Sequence, residues 1–121
     1  MRKTMNYFNI AEFDSPDLPG SGQNMKPKIL LMLEETRKRF GQAIHINSGF
    51  RSVAHNKKVG GKKSSSHLTG WAVDIHCNTS RDRFELLKCL IKVGFNRIGI
   101  GGTFIHVDVD PEKPADVIWT Y

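Results

Sequence analysis

A chain of 121 residues with 39% hydrophobic content can build one ordinary core and has no room for a second domain. No apolar run is long enough to span a membrane, and the basic start Met1-Arg2-Lys3 is followed by neither the apolar stretch nor the cleavage site of a secretion signal. The formal charge of +6 is uneven: Thr36 to Val73 holds eight Lys or Arg and no acid, while Asp108 to Asp116 holds four acids against Lys113 alone.

The basic middle of the chain suits a polyanion, either nucleic acid or an anionic cell wall, or serves solubility alone. Nucleic-acid binding through Lys57, Lys58, Lys62 and Lys63 would rest on charge only, because no aromatic stacking platform or reader helix accompanies them. No nucleic-acid partner is therefore expected. Cys77 and Cys89 are too few for a disulfide framework, and Cys89, among helical leucines, reads as a buried free thiol.

In chain order, Asn9 to Asp14 is a short segment anchored by Phe8, Ile10 and Phe13, and a Pro- and Gly-rich loop from Ser15 to Gly22 follows. Met25 to Phe40 predicts a helix, with Pro27 in its first turn, Ile29, Leu30, Leu33 and Phe40 as its inward stripe, and Gly41 as its stop. Ala43 to Asn47 predicts a strand and Val53 to Val59 a short helix. The loop Gly60 to Ser66 is rich in Gly, Ser and Lys, and flexible unless a ligand or metal holds it.

Trp71 to His76 alternates as a strand, with Val73 and Ile75 on one face and Asp74 and His76 on the other. Thr79 or Ser80 caps a helix from Arg81 to Val93, whose inward stripe is expected at Phe84, Leu87 and Ile91. Arg97 to Ile100 and Phe104 to Val109 read as a hairpin turning at Gly101-Gly102, with His106 and Asp108 displayed opposite the apolar face of Ile105, Val107 and Val109. The layout is a small α+β domain covering residues 1–121.

Asp74 and His106 each sit in an apolar strand, where a polar group without a partner is costly to desolvate. With His67 they make two imidazoles and a carboxylate, the ligand set that binds zinc with one position left open for chemistry. On spacing alone an alternative serves equally: His67 a surface loop residue, Asp74 an ion-pair partner, His106 a half-buried hydrogen-bonded histidine. His76 shares a face with Asp74 and either takes part in catalysis or simply closes the strand, and His45 and His55 carry no motif.

Ser65-x-His67-x-x-Gly70-x-Ala72-x-Asp74, preceded by Ser48-Gly49-Phe50-Arg51-Ser52 and followed by Phe104-Ile105-His106-Val107-Asp108, resembles the zinc D-Ala-D-Ala carboxypeptidase family of peptidoglycan peptidases. Phe8-Asn9-Ile10-Ala11-Glu12-Phe13 and Trp119 extend the likeness over nearly the whole chain. The resemblance implies a Hedgehog/DD-peptidase-like α+β fold, a small antiparallel sheet with helices packed on one face. It also implies one zinc per chain held by His67, Asp74 and His106.

Arg51 then stabilises the reacting carbonyl oxygen, binds a substrate carboxylate, or serves as a structural ion pair. Ser65 would hydrogen-bond substrate, and Trp119 either walls the cleft or packs in the core. Many relatives carry an acid three positions before the last zinc histidine; here that position is Thr103, which cannot act as a base. Asp108 is the candidate replacement, about 6 to 7 Å along the strand from His106, with orientation of a metal ligand as its other possible role.

The expected activity is hydrolysis of a peptide bond beside a D-amino acid in the peptidoglycan stem, as a D,D-carboxypeptidase or an endopeptidase, by a monomer. A non-catalytic zinc-containing wall-binding module of the same fold is the alternative. Without a secretion signal, the protein is expected to be made in the cytoplasm and to act on the wall after release by other means, as a phage lysin or virion component would.

Overall fold

The computed structural model describes residues 5–121. After two 3-10 turns, Ile10–Phe13 and Ser21–Asn24, the elements are α1 (Pro27–Phe40), β1 (Ile46–Ser48), α2 (Val53–Lys58), β2 (Ala72–His76), α3 (Ser80–Val93), β3 (Arg97–Ile100), β4 (Phe104–Asp108) and β5 (Val117–Thr120). The α+β expectation holds.

Helix α1 begins at Pro27, whose fixed φ suits the first turn, and ends at Gly41; its last turn carries Arg37, Lys38 and Arg39, cations that complement the carbonyl end of the helix. Ile29, Leu30 and Leu33 are buried as the spacing predicts. Thr36 joins them at no polar cost because its hydroxyl donates to the Met32 carbonyl at 2.8 Å. Helix α3 is capped by the Thr79 side chain, which accepts from the Asp82 N–H.

The inward face of α3 is not the expected one. Leu86, Cys89 and Leu90 are buried, whereas Phe84 is 66% and Ile91 56% exposed, and Leu87 packs only partly against the core. Two apolar stripes of helical spacing coexist on this segment, and packing against α1 selects the one that holds Leu86 and Leu90. Both cysteines are buried free thiols.

The five strands lie in the order β1-β2-β4-β3-β5. Neighbours run antiparallel except β3 and β5, which are parallel, so the sheet is mixed rather than wholly antiparallel. Strand β5 follows the acidic, proline-bearing stretch after Asp108, and its residues lack a clean apolar alternation. Only pairing to β3 makes it a strand.

Helices α1 and α3 pack together over one face of the sheet. Val73 and Ile75 from β2, Ile105 and Val107 from β4, and Ile98 from β3 meet Ile29, Leu33, Leu86 and Leu90 there. Each of these side chains is at most 3% exposed. Burying a side chain of that size contributes roughly 1.5–3 kcal/mol. The period of two along each strand then sends the intervening residues to the opposite face.

Candidate metal centre

On that opposite face the strand register lines up one transverse row. Ser48 pairs with Asp74, Asp74 with His106, His106 with Gly99, and Gly99 with Trp119, so a single line of residues crosses all five strands. His67 arrives above this row from the turn that precedes β2, and Arg51 from the segment that follows β1.

The turn is built to deliver His67. Its N–H donates to the Ser65 hydroxyl at 3.2 Å, and its carbonyl accepts from Arg51 N–H at 3.1 Å. Gly70 then reverses the chain at φ +78, pressed so close to Asn24 that an added Cβ would lie 2.2 Å from that carbonyl oxygen. Only glycine satisfies both conditions. Behind the turn, Ser66 donates to Asp110 at 2.7 Å, and the Lys113 ammonium donates to Ser66 at 2.8 Å and to the Ser64 carbonyl at 2.6 Å. At the other end Gly61 N–H donates to the Asn56 carbonyl at 2.8 Å, so a loop that reads as flexible is tied down at both ends.

The donor atoms of His67, Asp74 and His106 all lie within 4.8 Å of one another. Asp74 Oδ1 is 3.3 Å from His67 Nε2 and 2.9 Å from His106 Nδ1. The other nitrogen of each ring faces a pure acceptor: His67 Nδ1 lies 2.8 Å from the Gly49 carbonyl, and His106 Nε2 lies 2.7 Å from Asp108 Oδ2. With a cation held by His67 Nε2 and His106 Nδ1, both of those far nitrogens would donate, which would fix each tautomer. In a neutral ring the remaining lone pair then points at the Asp74 carboxylate.

Two lone pairs aimed at one carboxylate oxygen repel unless a cation sits among them. Burial would lower the His106 pKa, yet the hydrogen bonds to Asp108 and Asp74 outweigh it and push the imidazole above its ordinary value. Burial would raise the Asp74 carboxyl, but His106 and His67 hold it far below the usual carboxylate range. Without a metal a proton takes the cation's place. Two neutral imidazoles and one carboxylate oxygen, each ring oriented by an oxygen behind it, fit zinc with an open position.

Arg51 is almost buried and spans the rear of the site. Its Nε donates to the Ser48 hydroxyl at 3.1 Å, one Nη to Asn56 at 3.1 Å, and the other to Asp74 Oδ2 at 3.3 Å. This leaves Asp74 Oδ1 for the shared centre and leaves further guanidinium N–H groups uncommitted on a residue that lines the cleft. Asp108, 1% exposed, gives Oδ2 to His106 and Oδ1 to both Arg97 Nε at 2.8 Å and the Asp110 N–H at 3.1 Å. Burial would raise its carboxyl, and His106 with the Asp110 N–H and Arg97 brings it below the ordinary value.

An open cleft of about 520 Å³ lies over the centre, and Arg51, Lys62, Ser65, Lys113, Trp119 and Tyr121 are among the residues that line it. The Trp119 ring rests 5.6 Å from the His106 ring, and the Arg97 guanidinium lies 5.3 Å from the Trp119 ring. Thr103 is exposed on the turn before β4, where its carbonyl accepts from Cys77 N–H, and is not among the cleft residues. His76 is exposed and meets His45 edge-on at 6.4 Å, outside the cleft.

Sequence reasoning passed over Arg97 and Tyr121. Arg97 lies directly across the hairpin from Asp108, so the register of that hairpin was the signal for it. Tyr121 depends on β5, which carried no signal of its own.

A family model described as Peptidase M15 matches residues 6–110. The matched stretch contains Arg51, His67, Asp74, His106 and Asp108, and stops before Trp119 and Tyr121. Comparison with curated proteins gives no match.

Proposed function

From the chain's place in the peptidase M15 family, to which it belongs and which is the zinc D-Ala-D-Ala carboxypeptidase family its motifs resemble, we propose a zinc-dependent hydrolase of peptidoglycan. Its substrate is a peptide bond beside a D-amino acid in the wall peptide, cut as a carboxypeptidase or an endopeptidase. The observation that carries this reading is the convergence of His67 Nε2, Asp74 Oδ1 and His106 Nδ1, each ring with its far nitrogen within hydrogen-bond distance of a fixed oxygen.

When bound, the cation supplies a water acidic enough to attack at neutral pH and polarises the scissile carbonyl. The chain supplies everything around it. His67 and His106 present lone pairs of fixed orientation, and Asp74 contributes one oxygen while Arg51 holds the other. Arg51 lines the cleft, where its remaining N–H groups stabilise the carbonyl oxygen or take a substrate carboxylate.

Asp108 acts in this reading as a positioning residue. Both of its oxygens are engaged on the far side of the His106 ring, so its geometry favours orienting the ligand over accepting a proton from water. Ser65 shapes the His67 turn from the cleft rim, and Trp119 forms a wall that shields His106.

One observation favours a second reading, a non-catalytic wall-binding module of the same fold: Thr103 stands, outside the cleft, where many relatives carry an acid. The deciding experiment is metal analysis of the purified protein together with mass spectrometry of digested muropeptides. New amine ends at a D-residue bond are expected. Zinc at one per chain with no cleavage, but with retention on wall sacculi, replaces the enzyme by the binding module.

Among the described residues no helix is long and apolar enough to cross a membrane. Synthesis in the cytoplasm with action on the cell wall is part of the proposal, as is a monomeric state.

A further inference from the structure

The cleft holds a phenol hydroxyl that the reading above does not use. Tyr121 follows β5, and its N–H donates to the Ile100 carbonyl at 3.3 Å, which extends the β3–β5 ladder by one step. It therefore shares a face with Trp119, two residues earlier. Its ring leans on Phe104 at 5.0 Å, and Phe104 precedes His106 by two residues on that same face of β4.

Space for this arrangement is built into β3. A Cβ at Gly99 would lie 2.5 Å from Trp119 Nε1 and 2.9 Å from Tyr121 Cε2, so the strand forgoes a side chain where the two rings lie. Tyr121 lines the cleft while remaining 71% exposed, which leaves its hydroxyl reachable by an incoming peptide.

The neighbour of the hydroxyl limits its role. The indole N–H of Trp119, on the same face of β5, is a donor only and cannot take the phenol proton, which leaves that proton for an acceptor brought by a substrate. Although the residue as a whole is exposed, partial burial of the phenol raises it above its ordinary pKa against the pull of Trp119, and a phenol of ordinary pKa about 10 is protonated at neutral pH in any case. On the Trp119 side of the cleft two cationic donors are already engaged, Arg97 on Asp108 and the Pro114 carbonyl and Lys113 on Ser64 and Ser66, so there the phenol would act beside whatever Arg51 supplies from the other side.

We propose that Tyr121 is a catalytic residue whose phenol O–H donates a hydrogen bond to the amide carbonyl oxygen as that oxygen gains negative charge. The O–H bond stays intact throughout. The water oxygen joins the carbonyl carbon, the C–N bond breaks, and the protons the new amine needs come from that water. A donor present for the charged state and weakly used by the neutral carbonyl raises kcat and leaves KM alone. This inference rests on the peptidase reading.

The test compares wild type with Tyr121→Phe, which keeps the ring and its Phe104 contact. The readouts are metal content, kcat and KM on muropeptides, and calorimetric affinity for a phosphinate dipeptide whose tetrahedral phosphorus replaces the scissile carbonyl. Expected are one metal per chain in both proteins, KM within about twofold, and kcat and phosphinate affinity each about 10²-fold lower in the variant. Unchanged kcat and phosphinate affinity overturn the proposal, and so does a rise in KM at constant kcat, which marks a mere wall. If metal-loaded wild type neither cleaves muropeptides nor binds the phosphinate, the peptidase reading itself fails and takes Tyr121 with it.

Discussion

The two faces of strands β2 and β4 are made by alternate residues of the same ten-residue pair, yet they are held by different physics. On the helix side Val73, Ile75, Ile105 and Val107 are buried among apolar side chains and have no preferred partner. On the cleft side Asp74, His106 and Asp108 are held by directed bonds of 2.7 to 3.3 Å to named atoms. Burial of carbon tolerates rearrangement, whereas a polar network fails when one member is lost. Stability is expected to follow the first face and chemistry the second.

The largest separation is expected from His67→Ala, which removes a donor atom and leaves the sheet core untouched. Metal stoichiometry should fall toward zero and peptidase activity below detection, while the metal-free protein retains its circular dichroism spectrum. An active, metal-replete variant would break the comparison between faces.

On the helix side, Ile105→Ala leaves a cavity at a fully buried site and should cost about 2–5 kcal/mol by denaturant titration. At temperatures where it is folded, it should still bind one metal. Asp108→Asn is expected to do less. By replacing the acceptor behind His106 it should weaken metal affinity by about 10–100-fold in a competition assay with a chelating dye. Activity at saturating metal should largely recover if Asp108 positions a ligand as proposed, and should stay low if it carries a proton.

The cleft side alone should also carry a pH signature. His106 is raised in the folded metal-free protein, so its contribution is full below the unfolded imidazole value of about 6.5 and is lost as pH climbs through the folded value. Asp74 and Asp108 are lowered, so theirs is present above about 4 and lost as pH falls through their folded values. Thermal melts with a chelator should thus peak between these limits, and zinc should raise Tm more at pH 8 than at pH 6. Smallest of all, Phe84→Ser and Ile91→Ser on the outer face of α3 should each change stability by no more than about 0.5 kcal/mol.

That last pair marks where the sequence stops being sufficient. Phe84, Leu87 and Ile91 have helical spacing as good as that of Leu86 and Leu90, and only the partner helix decides between them. Local periodicity did suffice for α1, where Pro27 and Gly41 bound a single stripe. It also sufficed for β2 and β4, where alternation in apolar strands singled out Asp74, His106 and Asp108. What lay beyond reach depended on pairing between distant segments: the parallel β5, the contact of Arg97 with Asp108, and the seating of Trp119 and Tyr121 over Gly99. The role of Asp108 stood open between base and orienting carboxylate because strand rise gives a distance but not the side of the ring. The contact of His106 Nε2 with Asp108 Oδ2 gives the side of the ring, and the readouts of Asp108→Asn decide the role.

The transverse row from Ser48 through Asp74, His106 and Gly99 to Trp119 makes the centre a gauge of assembly as well as of chemistry. A slip of one residue between β2 and β4 would turn Asp74 or His106 into the core and dismantle the donor set. A cation that binds only the complete set then favours the single pairing that presents it, by mass action on the folded ensemble. Refolding with metal present should yield fewer mispaired, aggregation-prone chains than refolding without it, and the metal would serve as a proofreader of strand alignment before it ever meets substrate.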